Sequence, residues 1–435
     1  MKKDGNVLST VVIGFALFAS FFGAGNLIFP PSIGLASGKD WLLALSGFAI
    51  SGVLLPVLSF MAVARAGGTE EGIASEMGRV FSILFASVVM LCTSLLIAVP
   101  RTAATTHELG IVTLFGPMSQ MWTSCVFFGI VLYLSYNPST VVEMIGKYLT
   151  PVLILIMVVI IVKGFVSPIG IPARTALSGA FRRGFIDGYQ TLDVFGGLVF
   201  SGAVFAALVA HRPDDRRAQM KMACGCTLVA GVSLLFIYGG LLYLGATGTD
   251  FFSEDMGRPA LLLALIGRLF DRFGPQSLAF ATIFACLTTA IGLTAGAAYF
   301  FDRVSKGGLP YRANVVVICV VSLLISMLGV DMIVSCAAPV LIFIYPAAIV
   351  LVLLNVFRSS FFNRGTFLGA VYSTLLVGFL EMLPVLGIHD ETMLTAFSVL
   401  PFASHGFAWT VPAVVCGVLG TIFQRKSETR KPGVR

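Results

Sequence analysis

Charged side chains are scarce in this 435-residue chain: 11% of the residues are Asp, Glu, Lys or Arg, whereas 57% are hydrophobic. A soluble globular protein carries about 25% charged residues. This chain could not cover its apolar surface in water, which excludes a soluble enzyme and a soluble nucleic-acid-binding protein despite the net charge of +7. The high hydrophobic content also excludes a disordered chain. The composition therefore indicates a membrane protein with many spans.

Motifs for metal or redox chemistry are missing as well. The four His residues are scattered along the chain, and none of the eight Cys residues forms a CxxC pair. Nearly all the cysteines lie in apolar runs, which indicates small buried side chains. We therefore expect no cofactor and no nucleic-acid partner, and the sequence leaves the oligomeric state open.

Long apolar runs are abundant. A helix that crosses a bilayer needs about 20 mostly apolar residues. Twelve such runs are present: 7–35, 41–64, 80–100, 119–137, 141–163, 189–210, 222–245, 277–301, 313–329, 332–356, 367–387 and 406–424. With the N-terminus inside, nineteen of the 28 Lys and Arg residues lie on the inner side, in agreement with the positive-inside rule. The sequence predicts one all-helical membrane domain, 1–435, with both termini cytoplasmic.

Two connections on the outer side are longer than most of the others, 164–188 and 247–276. The first contains Pro168 and Pro172 and is predicted to be an external loop. In the second, residues 259–273 have apolar side chains at helical spacing, which predicts a short helix over the outer face.

The first span contains an interruption. Gly23, Gly25 and Asn26 lie in the middle of its apolar run, and Pro30 and Pro31 are expected to interrupt it again. In hydrocarbon every backbone N–H and C=O needs a partner, so such a segment is costly unless it lines a site. Freed amides at the start of a half-helix can bind a carboxylate, because that end of the helix dipole is positive. The alternative is a packing contact at the glycines, with prolines that end the helix.

The sixth span combines an acidic residue with an expected break at a glycine pair, since Asp193 is followed by Gly196 and Gly197. A carboxylate in mid-membrane costs at least ~2.5 kcal/mol, so Asp193 is predicted to face a cavity and meet a cation, an amine or a donor. Alternatively, the span begins later and Asp193 lies in an outer vestibule. Spans 1 and 6 correspond if spans 1–5 and 6–10 are inverted repeats, and paired interruptions point to the central site of a transporter.

Three further polar features lie in or beside the spans. Thr288 and Thr289 either bond back to carbonyls of their own helix or supply oxygen ligands to Na+. Arg101, placed at the outer end of the third span, could cap carbonyls of that span, gate a vestibule or pair with an acid such as Asp193. Glu381 in the eleventh span is predicted to make a structural hydrogen bond.

Four segments resemble the branched-chain amino acid:cation symporter family, the BrnQ type of bacterial carrier. These segments are 22–31, 99–103, 191–193 and 287–293. The resemblance implies import of Leu, Ile and Val across the bacterial inner membrane, with Na+ as the expected coupling ion and H+ as the alternative. It also implies a fold of the leucine-transporter type, with two inverted five-helix repeats and two extra helices. These parts would be about 7–163, 189–356 and 367–424.

The resemblance further implies a site at the broken helices. Amides that begin the second half of helix 1 would meet the substrate carboxylate, and helix 6 would complete the amine site. The residues implied to bind substrate are Gly23, Ala24, Gly25, Asn26, Thr191, Asp193, Phe195 and Gly196. Those implied to bind Na+ are Ala19, Phe22 and Ala285 through carbonyls, and Thr288 and Thr289 through hydroxyls. Arg101 and Pro30 are assigned gating or structural roles. Candidates for the apolar pocket are Phe21, Phe22, Leu27, Ile97 and Phe195.

Other functions fit the sequence less well. A membrane enzyme would need a catalytic cluster such as HExxH, which the sequence lacks. A channel would more often show short repeated subunits and a carbonyl-rich filter motif, and twelve spans in one chain argue against it. The serious alternative keeps the fold and changes the substrate to another amino acid, an amine or a nucleobase.

Overall fold

The computed structural model of the protein describes residues 4–136, 141–201, 216–270, 273–359, 361–388, 400–403 and 406–429. Every regular element in these ranges is helical, which confirms the all-helical prediction. The first nine α-helices are α1 (Asp4–Phe21), α2 (Ala24–Ser37), α3 (Trp41–Ala49), α4 (Leu55–Arg65), α5 (Arg79–Met90), α6 (Ala98–Thr105), α7 (Val112–Phe115), α8 (Gln120–Tyr136) and α9 (Val141–Val166). The others are α10 (Ala180–Asp187), α11 (193–201), α12 (Arg216–Ala246), α13 (Arg258–Leu269), α14 (Phe273–Val304), α15 (Tyr311–Ser326), α16 (Val330–Val356), α17 (Arg364–Val385) and α18 (Thr410–Thr429).

Six helical runs in the described residues are long and apolar enough to cross a membrane. They are Ala24–Arg65, Arg79–Phe115, Gln219–Ala246, Phe273–Val304, Val330–Val356 and Arg364–Val385. Five shorter apolar helices are Ser9–Phe21, Gln120–Tyr136, Pro151–Val166, Tyr311–Ser326 and Thr410–Arg425. Eleven of the twelve predicted spans overlap one of these runs, and the remaining one, 189–210, extends beyond the described residues. The chain is a multi-pass membrane protein, and the count of twelve spans stays a prediction.

The third predicted span is longer than expected, and Arg101 is not at its end. The helical run covers Arg79–Phe115, not 80–100. Helical geometry is lost at Ile97 (φ −126°, ψ −66°), and α6 begins at the next residue. Pro100 is therefore the third residue of a new helix, where a missing N–H leaves no acceptor unsatisfied. Because the proline does not end the run, Arg101 lies inside it.

The first span is interrupted ahead of its prolines. Gly23 separates α1 from α2 and has extended geometry (φ −121°, ψ −162°). Pro30 and Pro31 lie inside α2, which continues to Ser37, so the expectation that the prolines interrupt or end the helix is wrong. Prolines have no N–H, so the carbonyls four residues earlier lose their helical donors.

The sixth span is interrupted at Leu192, not at its glycines. A 3₁₀ turn over Gly188–Thr191 leads to Leu192, which has left-handed geometry (φ 62°), and α11 begins at Asp193. Gly196 lies within α11, and its N–H donates to the Leu192 carbonyl at 2.8 Å. The expected break at the glycine pair is therefore wrong. A left-handed leucine costs about 1–2 kcal/mol, which the surrounding contacts must offset.

The helices group into two units. The first contains Met1–Val57 and Ser87–Ser335, and the second contains Leu58–Ala86 and Cys336–Arg435. In the second unit α17 and α18 pack with their backbones in contact. The approach is so close that a Cβ on Gly365 would lie 2.2 Å from the Gly420 carbonyl oxygen. The predicted division into two five-helix repeats stays a prediction.

In the first unit α2 and α12 also cross at backbone contact. A Cβ on Gly34 would lie 1.9 Å from the Leu242 carbonyl oxygen, and a Cβ on Gly245 would lie 2.0 Å from that of Pro31. Small residues of this kind let membrane helices approach closely. The crossing brings Asn26, in the first turn of α2, into contact with Tyr238 of α12.

Candidate functional site

A cavity lies in the first unit, where the two interrupted spans meet. The cavity is lined by Ser20, Phe21, Gly23, Ala24, Gly25, Asn26, Thr93, Ala98, Arg101, Thr102, Thr191, Leu192, Asp193, Gly196, Phe200, Thr289 and Leu293. Gly23 and Leu192, the residues at which the two spans are interrupted, therefore line the same cavity. Paired broken helices form the central site of transporters in the same way.

Asp193 lies at the start of α11 and is only 2% exposed. The side-chain amide of Asn26 donates to both carboxylate oxygens, at 2.9 and 2.8 Å. The Tyr238 hydroxyl donates to Oδ2 at 2.9 Å and also contacts the Asn26 amide. Asn26 and Tyr238 thus hold the Asp193 carboxylate at the cavity wall.

The first turn of α2 forms another wall of the cavity. Ala24, Gly25 and Asn26 begin this helix and line the cavity. The first N–H groups of a helix have no partner within it. The Gly23 N–H is taken by Oδ1 of Asn26 at 3.1 Å, while the Asn26 amide nitrogen reaches Asp193. Asn26 therefore connects the start of α2 to the start of α11.

The other residues with an expected role in or beside the substrate site do not all line the cavity. Thr191 lines the cavity, but its hydroxyl donates to the Gly188 carbonyl at 2.8 Å and accepts from the Asp193 N–H at 3.4 Å. Thr191 thus stabilises the turn that precedes α11. Gly196 and Phe21 also line the cavity. The expected residues that are buried outside its lining are Phe22, Leu27, Pro30, Ile97 and Phe195.

Of the residues expected to bind Na+, Thr289 is the one that lines the cavity. Thr289 is 8% exposed, and its hydroxyl has no hydrogen-bond partner in the part of the chain that the structure describes. A Cβ on Gly23 would lie 3.3 Å from this oxygen, so Thr289 faces the interruption of the first span. The Thr288 hydroxyl bonds back to the Phe284 and Ala285 carbonyls at 3.1 and 3.0 Å. Ala19, Phe22, Ala285 and Thr288 are outside the cavity lining.

Arg101 is 2% exposed and lines the cavity from α6. Its Nη1 donates to the Gln190 carbonyl at 2.6 Å, and its guanidinium carbon lies 5.5 Å from the centre of the Phe29 ring. Among the described residues Arg101 forms no ion pair with Asp193. Arg101 therefore caps a carbonyl of the sixth span rather than one of the third.

A second arginine, Arg258, also lies near the Phe29 ring, on a different helix. The predicted short helix 259–273 is present as α13, and Arg258 at its start lies 5.3 Å from the centre of the same ring. Arg258 is paired with Asp331 at 2.7 Å, which ties α13 to the start of α16. Unlike Arg101, it is outside the cavity lining.

The sequence did not single out several residues of this site. Tyr238, the partner of Asp193, lies in the seventh apolar span, where a hydroxyl in hydrocarbon needs a partner. The hydroxyl in an apolar span was the sequence feature that indicated a buried polar contact. Its partner lies 45 residues earlier in the chain. The other lining residues that were not predicted are Ser20, Thr93, Ala98, Thr102, Leu192, Phe200 and Leu293.

The sequence of this chain is similar to those of transport proteins for branched-chain amino acids. A family model described as branched-chain amino acid transport protein matches residues 6–427. Branched-chain amino acid permease BraB of Bacillus subtilis is 33% identical over 97% of this chain and 97% of its own length. Branched-chain amino acid permease BrnQ of Salmonella typhimurium is 35% identical over 95% of each chain.

Solved structures show the same fold at low sequence identity. Mhp1, a nucleobase-cation-symport-1 family transporter, matches with a TM-score of 0.59 and 12% identity over 97% of this chain and 93% of its own. MhsT in complex with L-phenylalanine matches with a TM-score of 0.59 and 15% identity, over 96% and 98% of the two chains. The predicted leucine-transporter type of fold is thereby confirmed, and the two extra helices stay a prediction.

Proposed function

The chain belongs to the branched-chain amino acid transport protein family, and from this premise we propose that it imports Leu, Ile and Val by cation symport. The observation that carries the proposal is the cavity between two interrupted spans, with freed amides on one side and a buried carboxylate on the other. Transport occurs by alternating access in the bacterial inner membrane, with both termini in the cytoplasm, as the distribution of Lys and Arg favours.

The substrate is a zwitterion, which hydrocarbon excludes. In our proposal its carboxylate meets the positive end of α2 at Ala24, Gly25 and Asn26. Its ammonium group meets Asp193, which Asn26 and Tyr238 hold at the cavity wall. A carboxylate with fixed donors is a strong partner for an ammonium group, because charge-assisted hydrogen bonds are about twice as strong as neutral ones.

The apolar side chain of the substrate faces Phe21, Phe200 and Leu293 on the cavity wall. An apolar pocket separates side chains that differ by one methylene by only about 1–3 kcal/mol. We therefore expect overlapping transport of Leu, Ile and Val.

We assign the coupling sodium ion to a position between α1 and α14. The buried hydroxyl of Thr289, unpartnered among the described residues, supports this position. The resemblance completes the ligand set with Thr288 and the carbonyls of Ala19, Phe22 and Ala285. Bound sodium would connect the two helices and favour one state of the transporter, to the extent that it binds the two states with different affinity.

Replacing Thr289 with alanine is expected to raise the Na+ concentration for half-maximal leucine uptake about 10-fold, because one ligand is lost from the ion. Thr294→Ala is the matched control, since Thr294 is another buried hydroxyl on α14 without a partner in the described residues and lies outside the cavity lining. Uptake into proteoliposomes at graded Na+ concentrations measures both variants. Wild-type Na+ dependence of Thr289→Ala would remove this residue from the ion site.

The function itself is tested by uptake of radiolabelled leucine into proteoliposomes that contain the purified protein. An inward Na+ gradient and an inward proton gradient are imposed separately. We expect concentrative uptake under the Na+ gradient. Uptake under the proton gradient alone would keep the substrate and move the coupling role towards Asp193. Absence of uptake under either, together with competition by an amine or a nucleobase for a labelled ligand, would favour a different substrate.

A further inference from the structure

We propose that Arg101 is a substrate-binding residue that holds the carboxylate of the transported amino acid. The inference rests on the proposed function and names a side-chain partner for a group that backbone amides alone were expected to bind. Four features of the described structure support it: the burial of Arg101, its unused donors, its lack of a direct ion pair and its position against α2.

Arg101 is buried at the cavity with most of its donors unassigned. The side chain is 2% exposed and lines the cavity. A guanidinium has five N–H donors, and the hydrogen bond to Gln190 at 2.6 Å uses one of them. Nε is buried and has no partner among the residues that the structure describes. Donors remain for an acceptor that enters the cavity.

Within the described ranges Arg101 also makes no direct ion pair, although the carboxylate of Asp193 lies near enough to attract it. No carboxylate in the described part of the chain forms an ion pair with it. A buried charge is costly unless it is paired, and the neutral Gln190 carbonyl does not compensate it. Arg258, on the same Phe29 ring, is neutralised by Asp331 at 2.7 Å. Arg101 therefore keeps a charge for the carboxylate of a ligand, whereas the charge of Arg258 is already paired.

The position of the guanidinium adds to the argument. A Cβ on Gly25 would lie 2.7 Å from Nη2 of Arg101, so the cation packs against the first turn of α2. The start of a helix is itself positive, and a cation there is unfavourable unless an anion lies between them. Two positive groups that converge on one cavity wall make a site for an anion.

The chemistry of the cavity then matches an α-amino acid. An arginine can bind a carboxylate through two parallel hydrogen bonds, which fixes its orientation. Asp193 provides the single negative side chain of the lining and is already oriented by Asn26 and Tyr238. A zwitterion placed between Arg101 and Asp193 neutralises both groups, whereas an amine or a carboxylic acid alone neutralises one.

The test compares two ligands on the purified full-length protein. L-Leucine carries the carboxylate, and L-leucinol replaces it with a hydroxymethyl group. Arg101→Gln is expected to raise the leucine Kd about 10- to 100-fold, the effect of losing a charge-assisted pair, and to leave leucinol binding unchanged or tighter. Arg258→Gln is the matched control and is expected to preserve the wild-type ratio of the two affinities.

Equal loss of leucine and leucinol binding in folded Arg101→Gln would assign Arg101 a structural role and overturn the inference. Arg101→Lys provides a second variant: it keeps the charge but not the planar pair of donors, and we expect it to retain part of the preference for leucine. A preference equal to that of Arg101→Gln would contradict a role for the charge. If the wild-type protein bound no leucine, the proposed function would fail and the inference with it.

Discussion

Replacing Asp193 with asparagine is expected to lower leucine uptake by about 30-fold or more, because removal of one partner of a buried charged contact costs about 2–5 kcal/mol. The variant loses the charge that we assign to the substrate ammonium group. It also turns one acceptor into a donor, opposite the donors of Asn26 and Tyr238. Leucine binding and uptake by the purified variant measure the effect.

A matched acidic control lies outside the cavity. Asp187 ends α10 and pairs with Arg183 at 2.6 Å, four residues earlier. Asp187→Asn removes one negative charge from the same stretch of chain, and we expect it to transport leucine at close to the wild-type rate.

Ligand chemistry separates binding from folding in the Asp193→Asn variant. The 2-hydroxy analogue of leucine has no ammonium group, so its weak binding should not change when the carboxylate is lost. Full uptake by the variant, with wild-type dependence on pH, would place Asp193 outside the site.

Replacing Gly25 with alanine is expected to lower leucine affinity about 10- to 100-fold, although the change adds one methyl group. The new Cβ would lie 2.7 Å from Nη2 and 3.1 Å from Cζ of Arg101, and 3.4 Å from the Gln190 carbonyl oxygen. The end of a flexible side chain can shift, so the fold is expected to tolerate the change. The shift moves the guanidinium away from the place where the carboxylate binds.

A double-mutant cycle shows whether Gly25 acts through Arg101. Gly25→Ala should cost much less leucine affinity in the Arg101→Gln background, because contacting residues are coupled. Gly129→Ala is the structural control, since a Cβ there meets nothing within 4 Å. Additive losses in the cycle would show that Gly25 contributes independently, through the α2 amides themselves.

The positions of the membrane helices were largely predictable from the sequence. A bilayer imposes its length on each helix locally, so an apolar run of about 20 residues marks a span without any tertiary contact. The ends of the runs were less predictable. Pro100 looked like the end of a span, but it falls in the first turn of a new helix, where its missing N–H has no consequence.

The helix interruptions were predicted in the correct spans, and in the first span the predicted segment includes the interrupted residue, Gly23. In the sixth span Gly196 and Gly197 had the permissive backbone, yet Leu192 takes the left-handed geometry. Strain of this kind persists only when surrounding contacts determine it. Those contacts come from other helices, and a pattern along one segment does not contain them.

The sequence by itself determined that this chain spans a membrane many times and that Asn26 and Asp193 require partners, because a polar group in hydrocarbon is costly wherever the chain folds. Only the tertiary structure decided that these two partner each other across 167 residues and that Tyr238 joins them. It also decided that Arg101 faces the cavity without a direct ion pair to any carboxylate of the described residues. The physical reason is that the cost of burying a group depends on that group alone, whereas its partner depends on how the helices cross.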